Sequence, residues 1–180
     1  MDIEWALRGI SRGDRSAFSS LYASQQPALL RYAVGLLAGD HAAAEDVVDE
    51  AFVDIWQQAG RFNGTGSAQG WLRRIVRNKA VDHLRKARRQ PLATAAQCTL
   101  FEEVTDSADT PDTATQKSLD AIELRRALER LTPDHREVVW LCYFEERPLS
   151  QIASLVGCPE NTVKTRLFHA RKAMREHLEA

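Results

Sequence analysis

Between Trp71 and Arg89 the sequence gathers eight cations against a single acid, Asp82. The cations are Arg73, Arg74, Arg77, Lys79, Arg85, Lys86, Arg88 and Arg89. The whole chain carries a formal net charge of −1 and an isoelectric point near 6.5. A one-sign concentration inside a neutral chain suits phosphate: each neutralised phosphate releases counterions, so binding becomes steeply salt-dependent. A second cluster comprises Asn161, Thr162, Lys164, Thr165, Arg166, Phe168, His169, Arg171 and Lys172. It mixes donors, acceptors, cations and one aromatic, which is the chemistry of base-edge reading. Phe168 suits packing on a thymine methyl in the major groove. A third cluster, Asp46, Asp49, Glu50, Asp54 and Gln57, is acidic and polar. A solvated face and a docking surface for a basic partner both account for it.

Nothing in the sequence offers bond-making chemistry. There is no CxxC and no Cys/His cluster, and no Gly-Lys-Ser/Thr follows the glycines of 61–70. No nucleophile motif appears either, so no metal, no cofactor and no enzymatic activity are expected. The cysteines, Cys98, Cys142 and Cys158, are odd in number and far apart, as expected of reduced thiols. A Cys142–Cys158 disulfide switch stays open, because a helix-turn-helix would bring the two together. The N-terminus lacks a basic-then-apolar leader pattern, and no apolar run approaches the ~18 residues of a membrane span. A cytoplasmic protein without membrane insertion is the expectation.

The elements that must position these clusters are helices throughout. Residues 2–11 read as a helix that buries Trp5 and Leu7, with Gly13 a stop and Asp14 a cap. Phe18, Leu21 and Tyr22 open the next, broken or kinked at Pro27 and continued to Gly39. Asp40 caps a third helix to about Ala59. Its apolar face is Val47, Val48, Ala51, Phe52, Ile55 and Trp56, with the acidic cluster opposite. Residues 61–70 form a Gly-rich mobile loop that leaves Phe62 stranded. The basic helix follows from Trp71, with Leu72, Ile75, Val76, Ala80 and Leu84 as its core stripe and Arg73, Arg74, Arg77, Asn78, Arg85, Arg88 and Arg89 on the other side.

From 90 to 115 there is no Lys or Arg and there are five acids, Glu102, Glu103, Asp106, Asp109 and Asp112. This composition predicts a flexible acidic linker. Helical pattern resumes at Gln116 and runs to Leu131, then Thr132 caps a further helix with Pro133 at its first position. Pro148 to Lys172 reads as helix, tight turn, helix. Gly157 supplies the left-handed stop and Pro159 the first residue of the next helix. At 100° per residue Val163, Leu167, Ala170 and Met174 share one core stripe. Asn161, Lys164, Thr165, Phe168, His169, Lys172 and Arg175 then face out. No segment alternates with period two, so the fold class is all-α, as two small helical domains.

The order of acidic-faced helix, mobile loop, Trp-led basic helix, acidic linker and helix-turn-helix resembles the bacterial sigma-70 family of RNA polymerase sigma factors, in its extracytoplasmic-function class. Residues 44–52 resemble that family's region 2.2, residues 71–85 its regions 2.3 to 2.4, and residues 162–171 its region 4.2. The resemblance implies a non-enzyme that brings core RNA polymerase to promoters. Residues 1–90 would be a region 2-like domain, 91–116 the acidic linker and 117–180 a region 4-like domain.

It also implies roles for residues. Asp46, Asp49, Glu50, Asp54 and Gln57 would grip the β′ clamp helices of core polymerase. Phe62, Asn63, Trp71, Arg73, Arg74, Arg77, Asn78, Arg85 and Arg88 would read and open the −10 element, Asn78 offering donor and acceptor to a flipped base edge. The 161–172 cluster would read the −35 element while its domain sits on the β flap. The linker would thread toward the polymerase cleft with its charges imitating RNA. Such factors are usually held inactive by an anti-sigma protein, often membrane-bound. Asp49 stands where the family usually has Gln, Asn161 where Gly is common, and His169 where Arg is common. A stand-alone helix-turn-helix regulator is the alternative, and it leaves the basic helix and the acidic face unexplained.

Overall fold

The computed structural model describes residues 2–89 and 122–178. The acidic linker, Cys98, the start of the helical pattern at Gln116 and the Arg88 and Arg89 side chains, all used in the sequence reading, lie outside the described residues.

The first group of helices is α1 (Ile3–Ile10), α2 (Arg15–Leu36), α3 (His41–Gln58) and α4 (Ala68–Arg89), with a 3-10 turn at Ala59–Arg61. The second is α5 (122–130), α6 (Pro133–Val139), α7 (Leu149–Val156) and α8 (Glu160–Leu178). α6 continues as a π-helical turn over Trp140–Phe144. Among the described residues there is no strand, as the absence of period-two alternation requires.

Local chemistry sets the ends. The Asp14 carboxylate accepts the N–H groups of Ser16 and Ala17 at 2.8 and 3.2 Å. Asp40 does the same for Ala43 at 3.0 Å. Thr132 caps α6 by accepting the His135 N–H at 3.3 Å, with Pro133 in the first turn. These side-chain oxygens satisfy amides that a helix start leaves without partners. Gly157 ends α7 in the left-handed conformation, φ 73°, where an L side chain is strained.

Four expectations are corrected. α2 is one helix that runs through Pro27. A proline there costs one rung of the ladder, and buried Leu21 on one side and Leu29 on the other hold the helix together. Trp5 is not buried: it is 61% exposed. The buried positions of α1 are Ala6, Leu7 and Ile10, and at 100° per residue Trp5 points away from them. The basic helix starts at Ala68, three residues before Trp71, with the Ser67 hydroxyl accepting the Gly70 N–H at 3.2 Å. Pro159 precedes α8 and its carbonyl accepts from Thr162 and Val163, so it is the cap residue and Glu160 the first helical one.

In the first group α3 packs on α2 and α4, and α1 on α2. Val47, Val48, Ala51, Phe52 and Ile55 of α3 are buried with Leu72, Ile75, Val76 and Ala80 of α4. In the second group α8 packs on α6 and α7. Val163, Leu167 and Ala170 are buried beside Val138, Leu141 and Ile152, and Met174 is half-buried. The two groups also touch, α4 against α7 and α2 against α6, so that one hydrophobic cluster runs through both.

Candidate nucleic-acid and partner interfaces

α4 is positioned by its stripe of Leu72, Ile75, Val76 and Ala80, which fixes the direction of every cation on it. Arg74, Asn78 and Arg85 are exposed. Arg73 is not on the open side, as its spacing suggested; it is 3% exposed. Its guanidinium lies 4.9 Å from the centre of the Tyr32 ring, and Nη2 is 2.8 Å from Glu145 Oε2. Arg77 is half-buried, with Nε donating to Glu137 at 2.8 Å and Nη2 to Asp134. Burial works against the Arg77 charge, but Glu137 and Asp134 outweigh it and raise its pKa. Glu137 also accepts the Tyr32 hydroxyl. Burial, reinforced by Glu137, pushes the Tyr32 phenol well above its ordinary range.

The loop before α4 is organised rather than empty. Asn63 accepts the Thr65 N–H at 3.0 Å. Phe62 is half-buried with its ring centre 5.8 Å from that of Trp71, so it is packed and not stranded. Trp71, Arg74, Arg77 and Asn78 line one wall of a cleft of about 370 Å³. The opposite wall is the end of α7, Ser154 to Gly157, with Arg166 of α8. The two predicted base-reading helices therefore border the same cleft.

α8 presents the predicted outward face. Asn161, Lys164, Thr165, Phe168, His169, Arg171 and Lys172 are exposed, Phe168 by 59%. Thr162 is half-buried. Arg166, also half-buried, donates to Asp134 at 2.9 Å. The Thr165 hydroxyl is turned back to the Asn161 carbonyl at 2.9 Å, which leaves its methyl for apolar contact. His169 stacks on His135 of α6 at 6.3 Å, and Phe168 meets His169 edge-on. Burial, then His169 and Arg166, lowers the pKa of His135.

On α3, Asp46, Asp49, Glu50 and Gln57 are exposed and Asp54 is half-buried. Lys79 of α4 reaches back to Asp54 at 3.2 Å and Glu50 at 3.6 Å. Burial opposes the Lys79 charge, and the two carboxylates outweigh it and raise its pKa. Lys79 thus ties α4 to α3. Asp46 and Asp49 keep the freer carboxylates, and the Tyr22 hydroxyl is 3.4 Å from Asp49. Next to Asp49 lies an exposed apolar surface that sequence reading missed, Tyr22 and Val53. Tyr22 was assigned only to the start of its helix, and Val53 breaks the acidic pattern without belonging to the core stripe.

Cys142 and Cys158 are both free thiols and half-buried. Among the described residues no group of three or more His, Cys, Asp or Glu could hold a metal ion. No described helix is long and apolar enough to cross a membrane.

Two helical units, one with a cationic helix and one with a predicted base-reading helix after a tight turn, are the arrangement of a class of DNA-directed transcription factor. The sigma-70 region 2 family model matches residues 21–90, and the sigma-70 region 4 model matches residues 121–174. The chain is 32% identical over 174 residues to the extracytoplasmic-function RNA polymerase sigma factor SigL of Mycobacterium tuberculosis, covering 94% of this chain and 93% of that one. It is 31% identical over 175 residues to the RNA polymerase sigma-H factor of Pseudomonas aeruginosa, covering 94% and 90%. To the sigma factor SigW of Bacillus subtilis it is 25% identical over 183 residues, covering 99% and 97%. The chain belongs to the extracytoplasmic-function sigma factors of the sigma-70 family.

The fold agrees. CnrH, solved with the cytosolic domain of CnrY, superposes with a TM-score of 0.64 at 21% identity, over 99% of this chain and 98% of that one. The sigma factor RpoE of Bartonella quintana, solved with the anti-sigma factor NepR, gives 0.61 at 24% identity, over 91% and 97%.

Proposed function

We propose that this chain binds core RNA polymerase and directs it to promoters by reading two separate elements, without catalysing a reaction itself. The observation that supports this reading is the presence in one chain of a cationic helix, α4, and an exposed polar helix after a tight turn, α8, beside an acidic helix, α3, that neither needs. Residues 1–90 form the unit that docks on polymerase and opens the −10 element, residues 117–180 the unit that reads −35, and 91–116 the connection. Melting requires a cationic surface to hold strands and a place for an extruded base. Arg74, Arg85 and Asn78 on α4, with Trp71 and Phe62 beside them, supply both. Reading duplex requires a helix in the major groove. On α8, Asn161, Lys164, Phe168, His169 and Lys172 are the contacts, with Arg171 toward phosphate.

Asp46 and Asp49, with Glu50, Gln57 and the Tyr22–Val53 surface, dock on the clamp helices of the β′ subunit, and residues 117–180 rest on the β flap. Regulation is by an anti-sigma protein, as the anti-sigma partner of RpoE suggests, and the chain works in the cytoplasm. A stand-alone helix-turn-helix regulator has α8 in its favour but leaves α3 and α4 without a role.

Docking is tested by charge reversal. Asp46→Arg with Asp49→Arg should weaken co-elution with core polymerase by tenfold or more, because like charges at an interface cost several kcal/mol. Helix content should stay as in the parent. Unchanged core affinity would remove α3 from the docking surface.

A further inference from the structure

We infer, resting on the reading of α8 as the −35 helix, that His135 of α6 is a positioning residue for base recognition. It holds the His169 ring in the outward direction from which His169 donates to the acceptor edge of a purine. His135 acts only through its neighbour and makes no contact with DNA itself.

Exposure creates the need for such a residue. Phe168 and His169 both stand exposed on α8, and an exposed side chain moves among staggered wells until something selects one. Ordering it at the moment of binding costs affinity. The His169 ring is not left to rotate. It stacks on that of His135, with 6.3 Å between centres and 28° between planes. Phe168 meets it edge-on, at 5.5 Å and 76°. Ring pairs at these separations and angles attract. Three rings therefore run from half-buried His135 on α6 to exposed Phe168 on α8.

The inner end of this row is fixed. The His135 N–H is held by the Thr132 hydroxyl at 3.3 Å. Both chain neighbours of His135 are anchored as well. Arg136 is buried and donates to the carbonyls of Leu128, Glu129 and Leu131 at 2.8, 3.0 and 3.2 Å. Asp134 accepts from Arg166 at 2.9 Å. Arg166 precedes His169 by three residues, so the two are neighbours on one side of α8. Consecutive residues of α6, Asp134 and His135, thus engage Arg166 and His169, which sets the rotation of α8 against α6 and the direction of the His169 ring together.

The stack also needs His135 uncharged, since two imidazolium rings repel. The groups that face His135 are Asp134 on its own helix and Arg166 and His169 on α8. Burial, then His169 and Arg166, hold its pKa below the ordinary value against the pull of Asp134. At neutral pH His135 is therefore a neutral ring that can stack whatever the state of His169. An imidazole offers an N–H donor in either tautomer, and N7 is the major-groove acceptor that both purines share. A ring of fixed direction reaches that one edge. His169 is thus fitted to a purine, as Phe168 is to a thymine methyl.

The test uses holoenzyme reconstituted from the full chain and purified core polymerase. Promoter-length duplexes randomised over about ten base pairs of the upstream element, one turn of the helix, are bound, and the retained and input pools are sequenced. His169→Ala should abolish a purine preference at one position. His135→Ala should weaken the preference at that same position by about fivefold, the scale of ordering one side chain, and leave the other positions as in the parent. His135→Phe, which keeps a flat ring, should restore it. With 7-deazapurine at that position the parent should lose affinity and His169→Ala should not. Should circular dichroism find His135→Ala unfolded, His135→Gln, which fills the site without a ring, takes its place. Loss spread evenly over all positions, no rescue by His135→Phe, or equal loss on 7-deazapurine in parent and His169→Ala would overturn the positioning role. A parent with no base preference in the upstream element would sink the reading of α8 and the role of His135 with it, whereas a preference that the loss of the His135 ring leaves untouched would sink the positioning role alone.

Discussion

Single residues decide which charges are free to work. Arg73 and Arg74 are neighbours in sequence, yet one lies beneath Tyr32 and Glu145 and the other faces solvent. Helical spacing gave the outward side of α4 correctly for Arg74, Asn78 and Arg85. It misplaced Arg73 because the burial comes from Glu145, 72 residues away, and local periodicity carries no information on distant partners. His135 carries a testable consequence. Burial, His169 and Arg166 hold its pKa below the ordinary 6.5 while Asp134 pulls the other way. The fold therefore disfavours the charged ring. Its stabilising share is whole above pH 6.5 and declines as pH falls toward the folded-state value. Between about pH 7.5 and about pH 5.8 the parent's melting midpoint should drop more than that of His135→Gln. Equal drops would show that this ring does not contribute.

Elements were legible wherever one helix face decides the outcome. The stripe of Val163, Leu167 and Ala170 and the outward Phe168 and His169 follow from 100° per residue, and the structure has them so. The caps at Asp14, Asp40 and Thr132 were equally readable, since each acts on amides two or three residues away. Trp5 is exposed because it lies off the face that Ala6, Leu7 and Ile10 bury. α6 could be read as a helix but not as the partner of α2 and α4, for its contacts reach back 57 to 105 residues. The turn between α7 and α8 depends on Gly157. A Cβ there meets nothing within 4 Å, so the cost of Gly157→Ala is the backbone strain alone. That is about 1–2 kcal/mol, seen as a melting midpoint lower by several degrees. An unchanged midpoint would mean that the left-handed stop does not position α8.

At the scale of the whole molecule, charge is balanced overall and segregated locally. A net charge of −1 permits an acidic face on α3 and cationic faces on α4 and α8 within one chain. Trp71, Arg74, Arg77 and Asn78 of α4 and Arg166 of α8 border the same cleft. In the proposed function this chain supplies promoter selection to a polymerase that lacks it. The direct measurement is transcription from fragmented genomic DNA of the source bacterium by purified core polymerase, with and without this protein, followed by sequencing of the RNA 5′ ends. The expected result is a discrete set of start sites that appear only when the protein is added and share two upstream elements at a fixed separation. Start sites identical to those of core polymerase alone would contradict it.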